Sequence, residues 1–344
     1  MTNIAINGMG RIGRLIARRY IKDLPEDPRY VGAIDLCLTG SIAYMMRYDS
    51  VHEKASLSIS DNDDIIRRGS HDIASFYGFD PSKLPWDDFG IDIVLECTGL
   101  FRDHAELSRH LRARVSRAVI SAPPSNLDNG IVMDENEDNY APADSTIFTT
   151  FRTISPLAPA ARELHDSFGI ELLTTATLRT YAPGQKLINM SARKKHRGRT
   201  VNATMQVMPC LVGEIYAAAV RTPLLDGALI DITAIVENDG TDKTVNATLG
   251  EAAEEISPGI LGCSEEDLTS VDIIGDSRLS TIGAQSNRVM TRAAKVMVWR
   301  DNKHGRSCCM LALAALVVGK NGMQQRRGRG LLGNGSKRRN RPGH

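Results

Sequence analysis

The 344-residue sequence predicts an α/β chain in two parts: an N-terminal doubly wound parallel sheet, then an α+β domain with a mixed or antiparallel sheet. Three observations carry this. Apolar strand patterns alternate with helix patterns up to about residue 150, as crossover-connected parallel strands require. Beyond that point, a helical stripe gives way to strands in which apolar and polar residues alternate, the pattern of a sheet with one covered face. At the very start, a short apolar strand runs into three spaced glycines and then a helix.

The first strand is expected at Asn3–Ile6. It ends in Gly8-x-Gly10-x-x-Gly13 and opens a helix over Arg11–Lys22. That order suits a dinucleotide pyrophosphate. Gly8 permits a tight turn, Gly10 lets backbone approach the phosphates, and Gly13 lets helix pack on strand, while the helix N-terminus offers free N–H groups. A second strand, Val31–Ile34, leads to Asp35, 22 residues after Gly13, where a carboxylate can accept hydrogen bonds from a ribose diol. The half up to residue 150 is therefore expected to be a Rossmann-type domain. Further strands fit Asp92–Glu96 and Ala118–Ser121, and a further helix His104–Ala113. The loops after these strands, Thr98-Gly99 and Ser121-Ala122-Pro123, lie at carboxyl ends, where an open parallel sheet binds its ligand.

In the second part, Leu157, Ala160, Ala161, Leu164 and Phe168 form one stripe of a helix over Leu157–Phe168. Antiparallel strands are expected at Ala228–Val236 and Ala293–Trp299, with an acidic helix, Lys243–Glu255, between them. The expected boundaries are 1–150, 151–318 and a basic tail, 319–344. A last helix at about 307–318 packs back on the first domain, and the tail is too polar to fold. Net charge is only +1, yet seven Lys or Arg and no acid fall between Arg326 and Arg341, leaving the remainder acidic. Six cysteines show no CxxC spacing, no leader segment is evident and no metal set stands out, so reduced thiols and a cytoplasmic location are expected. The longest apolar run, Met310–Val318, is far short of the roughly 20 residues that span a membrane.

Over roughly residues 1–318 the chain resembles phosphorylating glyceraldehyde-3-phosphate dehydrogenases. The strings that carry the resemblance include Ile6-Asn7-Gly8-Met9-Gly10-Arg11-Ile12-Gly13-Arg14, Tyr48-Asp49-Ser50-Val51-His52 and Leu84-Pro85-Trp86. Others are Glu96-Cys97-Thr98-Gly99, Val119-Ile120-Ser121-Ala122-Pro123, Leu157-Ala158-Pro159, Asp272-Ile273-Ile274-Gly275-Asp276 and Asp301-Asn302. The resemblance implies NAD as cofactor. Asn7, Arg11 and Ile12 would meet the pyrophosphate and Asp35 the adenosine ribose. Thr98, Gly99 and Ser121 would line the crevice, and Asn302 would hold the nicotinamide carboxamide. Phe79 replaces an arginine that usually packs near the adenine, and can stack on the base. The resemblance also implies a glycolytic role and a homotetramer, although the loop Ala182–Gln206, which usually makes subunit contacts, departs from pattern.

The family's chemistry does not carry over with its fold. It oxidises an aldehyde through attack by a cysteine thiolate, with a histidine base beside it, and inorganic phosphate releases the acyl group. Counting back from Leu157, the cysteine position holds Arg152, within Thr149-Thr150-Phe151-Arg152-Thr153-Ile154-Ser155, and no cysteine lies between Cys97 and Cys210. The histidine position holds Arg179 when anchored on Tyr181 and Gln185, or Thr177 when anchored on Thr174-Thr175. Arg221 matches a phosphate-binding arginine, and Thr153 and Gly213 fall in phosphate-binding stretches. The hydroxyls of the family's Pro-Thr-Ser-Thr-Gly are lost in Pro209-Cys210-Leu211-Val212-Gly213. The connection Gly213–Arg221 is shorter than the family's helix-containing one. After Asn302, Glu-Trp-Gly-Tyr-Ser becomes Lys303-His304-Gly305-Arg306-Ser307. The sequence thus predicts an NAD-binding family member without the family's reaction, with Arg152 and Arg179 placed to hold an anionic sugar phosphate. Nucleic-acid binding through the basic tail, and a different reaction on the same scaffold, are the other readings.

Overall fold

The structure is a computed structural model that describes residues 1–23, 28–56, 58–111, 115–122, 130–131, 136–141, 143–149, 154–180, 208–211, 213–223, 226–256 and 259–333. Arg152, Thr153, Pro123 and the loop 182–206 lie outside them.

The first domain opens with β1 (Asn3–Asn7), α1 (Arg11–Asp23), β2 (Arg29–Asp35) and α2 (Thr39–Arg47). A two-stranded ribbon of β3 (Tyr48–Asp49) and β4 (Glu53–Lys54) follows, and then β5 (Ser60–Asn62), β6 (Ile65–Arg68) and β7 (His71–Tyr77). The half closes with β8 (Ile93–Glu96), α3 (His104–Leu107), β9 (Arg117–Ile120), β10 (Gly130–Ile131) and β11 (Thr146–Thr149). The main sheet has nine strands in the order β10-β11-β9-β8-β1-β2-β7-β6-β5. Strand pairs from β10 through β7 are parallel, and β7-β6-β5 form an antiparallel meander at the edge. The sequence reading named no element here: Asp61, Asn62, Asp63 and Asp64 give no apolar alternation, yet Asp63 supplies a positive-φ turn (39°) between two paired strands. α3 is also shorter than expected, ending at Leu107.

α1 forms because Leu15, Ile16, Tyr20 and Ile21 fall on one buried stripe, while arginines occupy the other faces. In the second domain, α4 (Ile154–Phe168) begins three residues before the expected Leu157; Pro156 sits in its first turn, where a missing N–H costs nothing. It packs on a sheet of β12 (Ile170–Thr180), β13 (Ile215–Thr222), β14 (Ala228–Val236), β15 (Leu261–Ser264), β16 (Ser280–Gly283), β17 (Arg288–Met290) and β18 (Ala293–Arg300). The order is β13-β12-β14-β18-β16-β15, with β17 also on β18, and the sheet is mixed: β12-β13 and β15-β16 are parallel, the other pairs antiparallel. Much of the short Gly213–Arg221 stretch is strand β13, and its Ile215 joins the core built by Leu157, Leu164, Leu173, Ile230 and Val298. α5 (Asp242–Glu251) starts at a capping box formed by Thr241 and Thr244, and one π turn, Ala252–Ile256, completes it.

The last helix, α6 (His304–Gly333), corrects the expected tail: helix continues past Gly319 to Gly333. Arg, Gln, Leu and Met are adequate helix formers, and this outweighs the scattered glycines that suggested disorder. Its Cys309, Met310, Leu313 and Val317 are buried against the first domain's core, beside Ile16 and Ile147. No helix among the described residues is long and apolar enough to cross a membrane.

Candidate functional site

The carboxyl ends of β1, β2, β8 and β9 align, with Asn7 registered against both Ile34 and Glu96, and Glu96 against Ile120. Each motif glycine answers to a measurable constraint there. Gly8 adopts φ 94°, and a Cβ on it would stand 2.6 Å from the backbone N of Thr98. A Cβ on Gly13 would collide with the carbonyl oxygen of Gly8, so helix and turn meet only through glycine. A Cβ on Gly10 would meet nothing within 4 Å. The protein itself therefore does not require Gly10; the bare cradle it leaves is what a pyrophosphate needs. Exposed Arg11 and half-buried Ile12 follow at the helix start.

Asp35 braces this turn. Its carboxylate accepts from the N–H of Met9 (2.6 Å), Leu36 (2.7 Å) and Cys37 (3.1 Å), and the residue remains partly exposed. Tyr77, the last residue of β7, is registered against Asp35, which places exposed Phe79 two residues beyond the same edge. On the other side, Glu96 organises the crevice floor. It is fully buried and accepts from the Asn7 amide (2.6 Å), the Thr98 N–H (2.7 Å) and the Thr98 hydroxyl, and it pairs with His110 at 3.2 Å. Gly99 takes φ 73°, and the buried Ser121 donates its N–H to the Glu96 carbonyl at 2.9 Å. Asn302 is fixed by donating to the Gly227 carbonyl.

The domains are tied together beside this crevice. His52 Nε2 lies 2.9 Å from Asp301 Oδ2, and its Nδ1 lies 3.3 Å from Asp49. Asp301 also accepts from the N–H groups of Gly275, Lys303 and His304. Burial works against its charge, but His52 and these three donors win and hold its pKa down at about 2. Burial likewise disfavours the His52 cation, and the hydrogen bonds and charges of Asp301 and Asp49 raise its pKa nonetheless. His52, Asp226 and Asp301 lie close enough to suggest a metal triad, but Lys303 Nζ already sits 2.6 Å from Asp226 and supplies the positive charge. The Ser307 hydroxyl, in the first turn of α6, reaches the carbonyl of Ile12 in the glycine turn at 3.4 Å.

On the second-domain side, Arg179 stands near the end of β12 and Arg221 directly beside it on β13. Thr177 is fully buried and points to the same face, two residues deeper. Gly213 takes φ 89° before β13 begins. Burial pushes the thiols of Cys97, Cys263, Cys308 and Cys309 up, Cys308 to about 11, and desolvation and Asp35 raise Cys37. A nucleophilic cysteine needs the opposite shift.

Residues 2–104 match the family model for the glyceraldehyde 3-phosphate dehydrogenase NAD binding domain, and residues 153–302 match that for its C-terminal domain. The chain belongs to the glyceraldehyde-3-phosphate dehydrogenase family. NAD is its cofactor. Glyceraldehyde-3-phosphate dehydrogenase 1 of Bacillus subtilis (strain 168) is 35% identical over 333 residues, covering 92% of this chain and 98% of its own length. The Thermotoga maritima glyceraldehyde-3-phosphate dehydrogenase is 33% identical over 322 residues, covering 89% and 96%. Glyceraldehyde-3-phosphate dehydrogenase 2 of Saccharomyces cerevisiae is 31% identical over 333 residues, covering 92% and 99%.

Within this family frame, two groups escaped the sequence reading. Glu96 and His110 sit in or near family strings, yet nothing linear shows that they meet in a buried pair. Arg300, the residue before the Asp301-Asn302 string, lies one past the strand expected at Ala293–Trp299 and has no role in the sequence reading. Only the sheet register reveals its neighbours.

Proposed function

We propose that this family member binds NAD and holds an anionic ligand without performing the phosphorylating oxidation of glyceraldehyde 3-phosphate. In this reading Asn7, Gly8, Gly10, Arg11, Ile12 and Gly13 embrace the pyrophosphate, and Asp35 takes the adenosine ribose. Thr98, Gly99 and Ser121 line the crevice, and Asn302 orients the carboxamide. Bound NAD would supply a redox-active nicotinamide, but in this reading the two positions that would engage an aldehyde there, 152 and 179, carry neither a thiol nor an imidazole. The observation that carries the reading is Arg179 at the base position. A guanidinium stays protonated at neutral pH and can neither accept a proton nor attack a carbonyl. With Arg152 at the nucleophile position, the two cations suit a sugar phosphate, with Thr153, Gly213 and Arg221 beside them. Copies of the chain associate as homo-oligomers in this reading.

Loss of a nucleophile and its base together lowers turnover by on the order of 10⁶. Purified protein incubated with NAD, phosphate and the aldehyde should therefore form no measurable NADH, while NAD binds in a calorimetric titration. NADH formation at a rate ordinary for an intact Cys-His pair would end the proposal. A second reading is supported by the seven cations of residues 326–341: contact with nucleic-acid phosphates. Truncation after Lys320 should then abolish salt-sensitive binding.

A further inference from the structure

The core-facing side of the second sheet is apolar along most of its length and turns basic at one end. On β12 it runs Leu173, Thr175, Thr177, Arg179; on β18 it runs Val296, Val298, Arg300. The register makes these ends coincide. Arg221 pairs with Arg179, Arg179 with Ala228, and Ala228 with Arg300. Laterally paired residues project from the same face of a sheet, so three arginines stand in one transverse row. Between Arg179 and Arg300 in this row stands the fully buried Ala228, whose side chain is a single methyl group.

Arg300 is the buried member of the row. It is 9% exposed, its Nε has no hydrogen-bond partner, and its guanidinium makes no ion pair among the described residues. Burial, then the like charges of Arg179 and Arg306, disfavour its charged form, with Asp301 and Asp226 pulling weakly the other way. Those two carboxylates are already engaged by His52 and Lys303. Arg306, one residue before the Ser307 that touches the glycine turn, also acts electrostatically on Cys97 at the crevice. It therefore lies within electrostatic reach of both Arg300 and Cys97.

We propose that this row is a binding site for a compact phosphoryl anion with two or more negative charges, gripped by Arg300 and Arg179 from the sheet and by Arg306 from α6. A structural arginine buried to this degree is hydrogen-bonded; an arginine kept for a ligand waits for its acceptor. Planar guanidinium forks converging from two elements match phosphoryl oxygens bidentately. The inference deepens the anion-holding part of the proposed function and rests on it, though it does not depend on whether an aldehyde is oxidised.

The test uses the full chain, titrated calorimetrically with inorganic phosphate, pyrophosphate and glycerol phosphate, with and without NAD. At least one anion should bind, and Arg300→Met should weaken it at least about tenfold, the loss of one charge-assisted contact. Arg300→Lys should fall between. Melting temperature gives the second readout. Without anion, Arg300→Met should melt no lower than the parent, because an unpaired buried charge has been removed. At the same anion concentration, the parent should shift upward more than the variant. Preference for pyrophosphate would identify an inorganic polyphosphate, and preference for glycerol phosphate a phosphate monoester. The proposal is overturned if no anion binds the parent, or if Arg300→Met binds as the parent does. It is equally overturned if Arg300→Met melts several degrees lower without anion, which would mark Arg300 as structural. NADH formation in the aldehyde assay would instead overturn the proposed loss of chemistry and leave this site standing.

Discussion

At the carboxyl ends of the first sheet, the cofactor crevice is built mainly by backbone; at the equivalent edge of the second sheet, the site is built by side chains. The turn at Gly8, the close approach at Gly13 and the braces from Asp35 and Glu96 to main-chain N–H groups tie the crevice to the fold itself. Changing one of them damages the domain. Arg179, Arg221 and Arg300 sit at strand positions paired through backbone, so their side chains can differ while the hydrogen-bonded pairing is kept. The crevice is thus tied to the fold, and the basic row of the second sheet to individual side chains.

The sharpest way to break this comparison lies in the three glycines. Gly13→Ala and Gly8→Ala place a methyl group against fixed backbone and should each cost at least about 1–3 kcal/mol, lowering the melting temperature even without NAD. Gly10→Ala meets no protein atom within 4 Å. It should leave the melting temperature within about a degree and weaken NAD at least about tenfold by crowding the pyrophosphate. Thermal melts and NAD titrations on the three variants check this. If Gly10→Ala binds NAD normally, the phosphates do not lie where the turn is open.

The same division explains what could be read from the sequence. Strands β1, β2, β8, β9, β14 and β18 follow from apolar patterning, and Gly8, Gly13 and Asp35 from spacing, because these signals are local. The β5-β7 meander was missed since its first turn is Asp61-Asn62-Asp63-Asp64, and its place in the sheet is decided by the pairing of β7 with the distant β2. Arg152 and Arg179 stood out as departures at counted positions. Arg300 did not, because its meaning depends on two strands separated from it by about 72 and 121 positions. Linear patterns reveal which face a residue takes, and say little about what shares that face.

The link between the two regions gives a smaller, pH-dependent effect. Asp301 has a depressed pKa, about 2, so its contribution is complete above about pH 4 and is lost as the pH falls toward 2. The difference from an unfolded aspartate corresponds to about 2 kcal/mol. His52 has a raised pKa, so its contribution is complete below about pH 6.5 and is lost as the pH rises through the higher folded value. Stability of the parent should therefore fall at both ends of that range. His52→Gln should remove the decline on the alkaline side. Denaturant melts from pH 3 to 9 measure both slopes, and an unchanged alkaline slope in His52→Gln would dissociate His52 from the domain link.

Phe79 offers the gentlest test of the crevice side. Its ring is 60% exposed, and its centroid lies 6.4 Å from that of Phe101, so the fold gains little from it. It nonetheless stands just beyond the edge that carries Asp35, where an adenine ring would meet it. A base stacked on one exposed phenyl ring is worth about 0.5–1.5 kcal/mol, or roughly a two- to tenfold change in affinity. Phe79→Ala should weaken NAD by that factor, and should weaken AMP by the same factor, because both present the same base to the same ring. The melting temperature without ligand should not move. Equal affinity in parent and variant would mean that adenine recognition rests wholly on the Asp35 side, and that even at the backbone-built crevice one contact had become as replaceable as those on the second sheet.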